Sequence, residues 1–126
     1  MTFTEFLQLK VIEEFESGVT IECPLQRFFF NPDGSLHGGL IATVADESVW
    51  YAMQHVLSGT PHTTTVELKV NYLRPAMNSS VLRARATLVK TGRTLVVGTV
   101  ELRDEQATLC AIATVTYMLL SAPLPR

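Results

Sequence analysis

The sequence predicts an α+β fold in which a five- or six-stranded, largely antiparallel sheet wraps around one long central helix. Three observations carry this expectation. Residues 38–55 repeat apolar side chains at helical spacing. Four segments after them read as strands, two with strict apolar–polar alternation. The later segments are joined by stretches short enough for hairpins, which pair strands antiparallel.

Residues 7–26 read as two strands or a hairpin around Ser17-Gly18, with Val19, Ile21 and Cys23 alternating against Thr20, Glu22 and Pro24. Asn31-Pro32-Asp33-Gly34 is a turn signal, because Pro presets φ and Gly accepts a positive one. In the helix, Leu40, Ile41, Val44, Ala45, Val49, Ala52, Met53 and Val56 recur at three- and four-residue steps. Ala42 and Trp50 fill much of the remainder, so the helix is apolar nearly all round and expected to be buried on most sides. Ser58-Gly59-Thr60-Pro61 ends it.

In residues 63–73, Val66, Leu68, Val70 and Tyr72 alternate with Glu67, Lys69 and Asn71. In 80–90, Leu82, Ala84, Ala86 and Leu88 alternate with Arg83, Arg85 and Thr87. Residues 94–103 are rich in Val, Leu and Thr, and 107–120 place Leu109, Ala111, Ala113, Val115 and Tyr117 on one face. Gly92 and the Asp104-Glu105-Gln106 cluster supply the tight turns between consecutive hairpins.

A length of 126 residues predicts one domain, 1–126. A chain this short buries only about two-thirds of its unfolded surface by itself. With 47% apolar and 17% charged residues, part of its surface is expected to be shared with a second copy. A net charge of −2 argues against a nucleic-acid partner. Cys23 and Cys110 lack metal-ligand spacing and read as buried thiols of a reducing compartment, with no metal site. The first residues lack a signal-peptide layout, and no apolar run approaches the roughly 18 residues of a membrane span. The expected location is the cytoplasm, away from the membrane.

Two carboxylates interrupt the apolar helix. Asp46 shares a helical face with Gly39, Ala42, Thr43, Val49, Trp50 and Met53, whereas Glu47 lies beside Thr43, Tyr51 and Gln54. A carboxylate in apolar surroundings is costly unless paired, hydrogen-bonded or wet, so Asp46 is either a structural contact or a catalytic group. The second feature is Leu36-His37-Gly38-Gly39 at the helix start. The first N–H groups of a helix have no internal partners and carry the positive end of its dipole. Glycine lets a ligand approach them, which suits stabilisation of a thioester or ester oxyanion, although a plain glycine-rich turn has the same sequence.

Gly38 and Asp46 are eight residues apart, or about 12 Å along a helix. They cannot both touch one carbonyl. Two antiparallel copies of the helix across a two-fold axis remove the difficulty, bring Gly38 of one chain to Asp46 of the other, and predict an inactive monomer. Lys69, Arg74, Arg83, Arg85, Lys90 and Arg93 fall within a stretch free of Asp and Glu. Arg83 and Arg85 alternate as an outward strand face, while Lys90 and Arg93 flank Thr91-Gly92 and are better placed for a nucleotide contact.

The run Asn31-Pro32-Asp33-Gly34-Ser35-Leu36-His37-Gly38-Gly39 through Asp46 resembles the signature of hotdog-fold acyl-CoA thioesterases, in particular the PaaI-like branch of the 4-hydroxybenzoyl-CoA thioesterase family. Thr65 through Ala76 resembles the family's next strand, and Lys90 through Leu95 its following hairpin. The resemblance implies a homodimer or dimer of dimers that hydrolyses an acyl-CoA, with coenzyme A entering only as part of the substrate and no further cofactor. It implies Asp46 as nucleophile or general base, Gly38 N–H as the carbonyl donor, Asn31 and His37 as orienting groups, and Thr65 as a water-positioning residue. Strand parity does not choose between Thr64 and Thr65. Gly39, Trp50, Lys90, Gly92 and Arg93 are the expected substrate contacts, and Tyr51 and Met53 could join Trp50 in an aromatic or medium-chain acyl pocket or belong to the core. Two other functions fit the fold: an acyl-thioester hydratase or dehydratase, and a non-catalytic acyl-CoA-binding module.

Overall fold

The computed structural model describes residues 1–125. In chain order the elements are α1 (Phe3–Leu7), β1 (Lys10–Phe15), β2 (Gly18–Pro24), a 3₁₀ turn (Arg27–Phe29), α2 (Gly38–Val56), β3 (Thr63–Tyr72), β4 (Val81–Thr91), β5 (Leu95–Arg103) and β6 (Leu109–Leu119). The six strands form one antiparallel sheet in the order β1-β2-β4-β5-β6-β3, with α2 against its inner face: the hotdog arrangement.

Hairpins join β1 to β2, β4 to β5 and β5 to β6, as the turn signals predict. The expectation of consecutive hairpins fails at β3, which pairs with β6 at the far edge while β4 pairs with β2. The connecting segment is pinned on its way across. Leu73 and Arg74 N–H donate to the Cys110 carbonyl, Leu36 N–H donates to Ala76, and Leu25 N–H donates to Ser80. The chain entering α2 is thereby stitched to the β3–β4 crossover.

Helix α2 buries Ile41, Val44, Ala45, Ser48, Val49, Ala52 and Met53. The sheet meets them with Val19, Ile21, Leu82, Ala84, Val100, Leu102 and Val115, all at most 2% exposed. Cys23 and Cys110 are free and buried in the same cluster, and burial pushes the Cys23 thiol up to about 11. Contact is closest at Gly98, where an added Cβ would lie 2.9 Å from both γ-carbons of Val49. Gly98→Ala should therefore force α2 off β5 and cost about 1–3 kcal/mol, read as a lower urea midpoint. An unchanged midpoint would show that the helix yields freely there.

The remaining stripe of α2 stays half-open. Ala42, Thr43, Asp46, Glu47, Trp50 and Tyr51 are only partly buried, and Gly39 is exposed. The edge strand beside it is more open still, with Val66 49%, Leu68 38% and Tyr72 54% exposed. An edge that keeps apolar side chains in water is a template for pairing with another chain.

Candidate active site

Asp46 sits midway along α2, where the helix passes the β3–β6 pair. Its Oδ1 accepts from the Tyr117 hydroxyl at 2.8 Å and the Thr65 hydroxyl at 2.9 Å. The Tyr117 hydroxyl also lies 2.9 Å from the Asp46 carbonyl oxygen. Tyr117 is buried, and that burial, reinforced by the adjacent Asp46 charge, holds its phenol protonated far above the usual range. It is thus a fixed donor. Oδ2 accepts no hydrogen bond among the described residues. One oxygen is anchored, and the other is unengaged among the described residues.

Thr65 reaches Asp46 because β3 carries a bulge. Thr65 pairs with Tyr117 and Glu67 with Thr116, which leaves Val66 as the extra residue. Beyond it Leu68 pairs with the buried Val115, so Thr65 and Leu68 both face inward although their numbers differ in parity. Glu47 lies one residue on and about 100° round the helix. It faces Thr4 and Tyr51, outside the Tyr117–Thr65 cradle. Burial, then the neighbouring Asp46 charge, raises its carboxyl.

At the helix entrance His37 is the N-cap, and its Nδ1 accepts from Gly39 N–H at 3.0 Å. In the neutral ring the proton is therefore on Nε2. Leu40 and Ile41 N–H both reach the His37 carbonyl. Gly38 N–H donates no hydrogen bond among the described residues, while Gly38's carbonyl accepts from the Tyr72 hydroxyl at 2.6 Å. A Cβ on Gly39 would come within 3.1 Å of the His37 ring. Asn31 is engaged within its own loop. Its amide donates to Ser35 Oγ at 3.0 Å, while Ser35 Oγ and N–H donate to Asp33 at 2.6 and 3.0 Å. Those two bonds hold the Asp33 carboxyl below its usual range and the loop in a closed turn.

Within one chain the two halves do not meet. Gly38 and Asp46 remain two helical turns apart, the first beside Tyr72 and the second beside Thr65. Lys90, Gly92 and Arg93 stand with the Asp46 half. Thr65, Tyr117, Val96 and Thr91 form one row across the sheet, which puts the β4–β5 turn roughly 14 Å from Thr65. Neither Lys90 nor Arg93 forms an ion pair among the described residues. Arg83 and Arg85 bind Glu22 and Glu13 across the outer face, as their alternation suggests. Met53 belongs to the core, and Trp50 borders a cleft of about 230 Å³ with Pro61, His62 and Thr63. No three His, Cys, Asp or Glu side chains among the described residues could hold a metal ion, and no described helix is long and apolar enough to cross a membrane.

Residues 33–111, more than half of the chain and spanning both halves of the site, match the family model described as the thioesterase superfamily. The chain belongs to the thioesterase superfamily. Among this thioesterase's relatives, acyl-coenzyme A thioesterase 13 of Mus musculus is 32% identical over 75 residues, 60% of this chain and 53% of the mouse protein. A crystal structure of a Haemophilus influenzae thioesterase superposes with a TM-score of 0.83 at 25% identity, covering 93% of this chain and 81% of the other. The PaaI protein of the Escherichia coli phenylacetic acid degradation operon gives a TM-score of 0.83 at 19% identity, over 97% and 86% of the two chains, which shows the shared fold.

Sequence reasoning places Tyr117 on the inward face of its strand but gives it no role. The signal was available, because a buried tyrosine hydroxyl needs a partner and Asp46 was the unpaired polar group of the facing helix. Tyr72 was likewise read only as a strand residue.

Proposed function

We propose that this thioesterase hydrolyses acyl-CoA to the free acid and coenzyme A at two equivalent sites of a homodimer. Each site pairs Gly38 of one chain with Asp46 of the other. The observation that carries the reading is a pair of groups on one open face that are unengaged among the described residues: the Oδ2 of Asp46 and the N–H of Gly38. The half-open stripe of α2 and the exposed apolar side of β3 supply the surface for the second copy.

The thioester carbonyl oxygen accepts from Gly38 N–H, at the positive end of the α2 dipole. Along one route Oδ2 takes a proton from water, and the hydroxide so formed attacks the carbonyl carbon. The tetrahedral oxyanion then reforms the carbonyl, the carbon–sulfur bond breaks, and coenzyme A leaves as a thiolate that takes up the proton held on Oδ2, which restores the carboxylate. Along the other, Oδ2 attacks the carbonyl carbon directly, the carbon–sulfur bond breaks to expel the coenzyme A thiolate, and water cleaves the resulting mixed anhydride to the free acid and the Asp46 carboxylate, its released proton passing to the thiolate. Tyr117 and Thr65 fix the carboxylate in both. Asn31 holds the loop, His37 and Gly39 shape the entrance, Trp50 borders the acid's side, and Lys90, Gly92 and Arg93 meet the nucleotide phosphates.

His37 argues against a hydratase. Its Nδ1 is occupied by Gly39 N–H and no carboxylate pairs with it among the described residues. The test is thiol release from a panel of acyl-CoAs set against hydration of crotonyl-CoA. Thiol release without hydration is the expected result. Hydration, or binding without turnover across the panel, would overturn the proposal.

A further inference from the structure

Tyr72 ends β3 and meets the entrance of α2. It lies two residues beyond Val70, which packs against the core, and so faces the same way. Its backbone is held from behind, because the next two N–H groups, of Leu73 and Arg74, donate to the Cys110 carbonyl. Its ring closes on Gly38, where an added Cβ would stand 3.3 Å from both Cζ and Oη. The hydroxyl donates to the Gly38 carbonyl at 2.6 Å. The face of β3 that gives Asp46 the Thr65 hydroxyl thus gives the helix entrance a second one.

The peptide that Tyr72 grips is shared between two glycines. Its carbonyl belongs to Gly38 and accepts from the phenol, while its N–H belongs to Gly39 and donates to His37 Nδ1 at 3.0 Å. Hydrogen bonds at the two ends of one amide strengthen each other, since each polarises the group toward the other. The preceding peptide is engaged at one end. Its carbonyl, that of His37, accepts from Leu40 N–H at 3.0 Å and Ile41 N–H at 3.3 Å, and its N–H is the unengaged donor of Gly38. Gly38 joins the two peptides, and without a side chain it restricts the rotation between them least of all residues.

We propose that Tyr72 is a positioning residue of this site. By holding the Gly38–Gly39 peptide, its hydroxyl fixes the direction of Gly38 N–H and keeps the neutral His37 ring in the tautomer that carries its proton on Nε2. The proposal rests on the reading of Gly38 N–H as the donor to the thioester carbonyl. Such a donor acts most strongly when it is already aimed at the place where the oxyanion forms, because nothing then reorients as charge develops. Without the hydroxyl the peptide is free to turn, and Nδ1 loses its polarised partner. The two tautomers of the ring then approach each other in energy, and Nε2–H is no longer a fixed donor.

The test compares the full natural chain with Tyr72→Phe, which removes only the oxygen, and Tyr72→Leu, which removes the ring as well. Tyr72 is 54% exposed, so folding is spared in both. Two-bond ¹H–¹⁵N spectra of labelled histidine are recorded in alkaline buffer, and His37→Gln identifies the His37 signal. The natural chain should show the Nε2–H tautomer, and both variants a mixture of the two. Thiol release from acyl-CoA should fall in kcat about three- to tenfold in both variants with KM little changed, the pattern of an interaction made in the transition state. Natural kcat in Tyr72→Phe with a loss confined to Tyr72→Leu would make Tyr72 a packing residue and overturn the proposal. An unchanged His37 spectrum in Tyr72→Phe, or a rise in KM alone, would overturn it as well. The spectra need no turnover. A tautomer shift in a protein that cleaves no acyl-CoA keeps Tyr72 as the group that orders the entrance and removes the hydrolytic reading. Cleavage at the natural rate in Tyr72→Phe, with the natural spectrum, does the reverse.

Discussion

Asp46→Asn is expected to lower kcat on the order of 10²–10⁴-fold, the range lost with a positioned acid–base group. The change is nearly isosteric. An asparagine carbonyl still accepts from Tyr117 and Thr65, so the cradle that holds Oδ1 survives. What disappears is the charge and the basic second oxygen. Thermal midpoint and oligomeric state should stay where they are, and Glu47→Gln, which touches neither cradle residue, should leave kcat close to that of the natural chain. Wild-type turnover in the Asp46 variant would remove the carboxylate from the reaction. If the protein is active, solvent ¹⁸O found in Asp46 after a single turnover would select the anhydride route over direct attack by water.

The second large effect comes from mixing two dead proteins. Gly38→Pro removes the free N–H at the first residue of α2, a position where proline suits the helix. Loss of one oxyanion donor should cost on the order of 10²–10³-fold in kcat. A Cβ at this position would stand 3.3 Å from the Tyr72 ring, so Gly38→Ala, which adds the same carbon but keeps the N–H, is the control for crowding. If each site draws Gly38 from one chain and Asp46 from the other, a mixed dimer of Gly38→Pro and Asp46→Asn chains contains one intact site. Random re-association should then recover about a quarter of the natural activity, since half the dimers are mixed and each carries one good site of two. A mixture that stays inactive would place both groups of a site within one chain.

The strand and helix limits were legible because they rest on local signals: period-two alternation in β4, three- and four-residue spacing in α2, and Gly92 at a turn whose N–H meets the Leu95 carbonyl. The place of β3 was not. Which edge a strand joins depends on bonds from Leu73 and Arg74 to Cys110, distant in sequence. Thr65 could not be separated from Thr64 because a bulge is a backbone event that alternation counting does not register. By contrast, Thr2 and Glu5 carry the spacing of a capping box, so α1 could have been read from the chain. In the candidate site, Asp46 and the His37-Gly38-Gly39 turn stood out as polar or flexible residues in apolar surroundings. Tyr117 did not, because a tyrosine among core residues looks like packing until its hydroxyl is followed to an acceptor.

The supernumerary residue of β3 has a consequence for length changes in this strand. A chain without Val66 would run an unbroken ladder from Glu67 back to Thr65 and still present threonine to the acid, because Thr65 already lies opposite Tyr117. A chain that kept Val66 but ironed out the kink would slide valine methyls into that spot and swing the threonine to the outer surface. The locus therefore tolerates a one-residue deletion better than a straightening, the opposite of what an ordinary strand would allow.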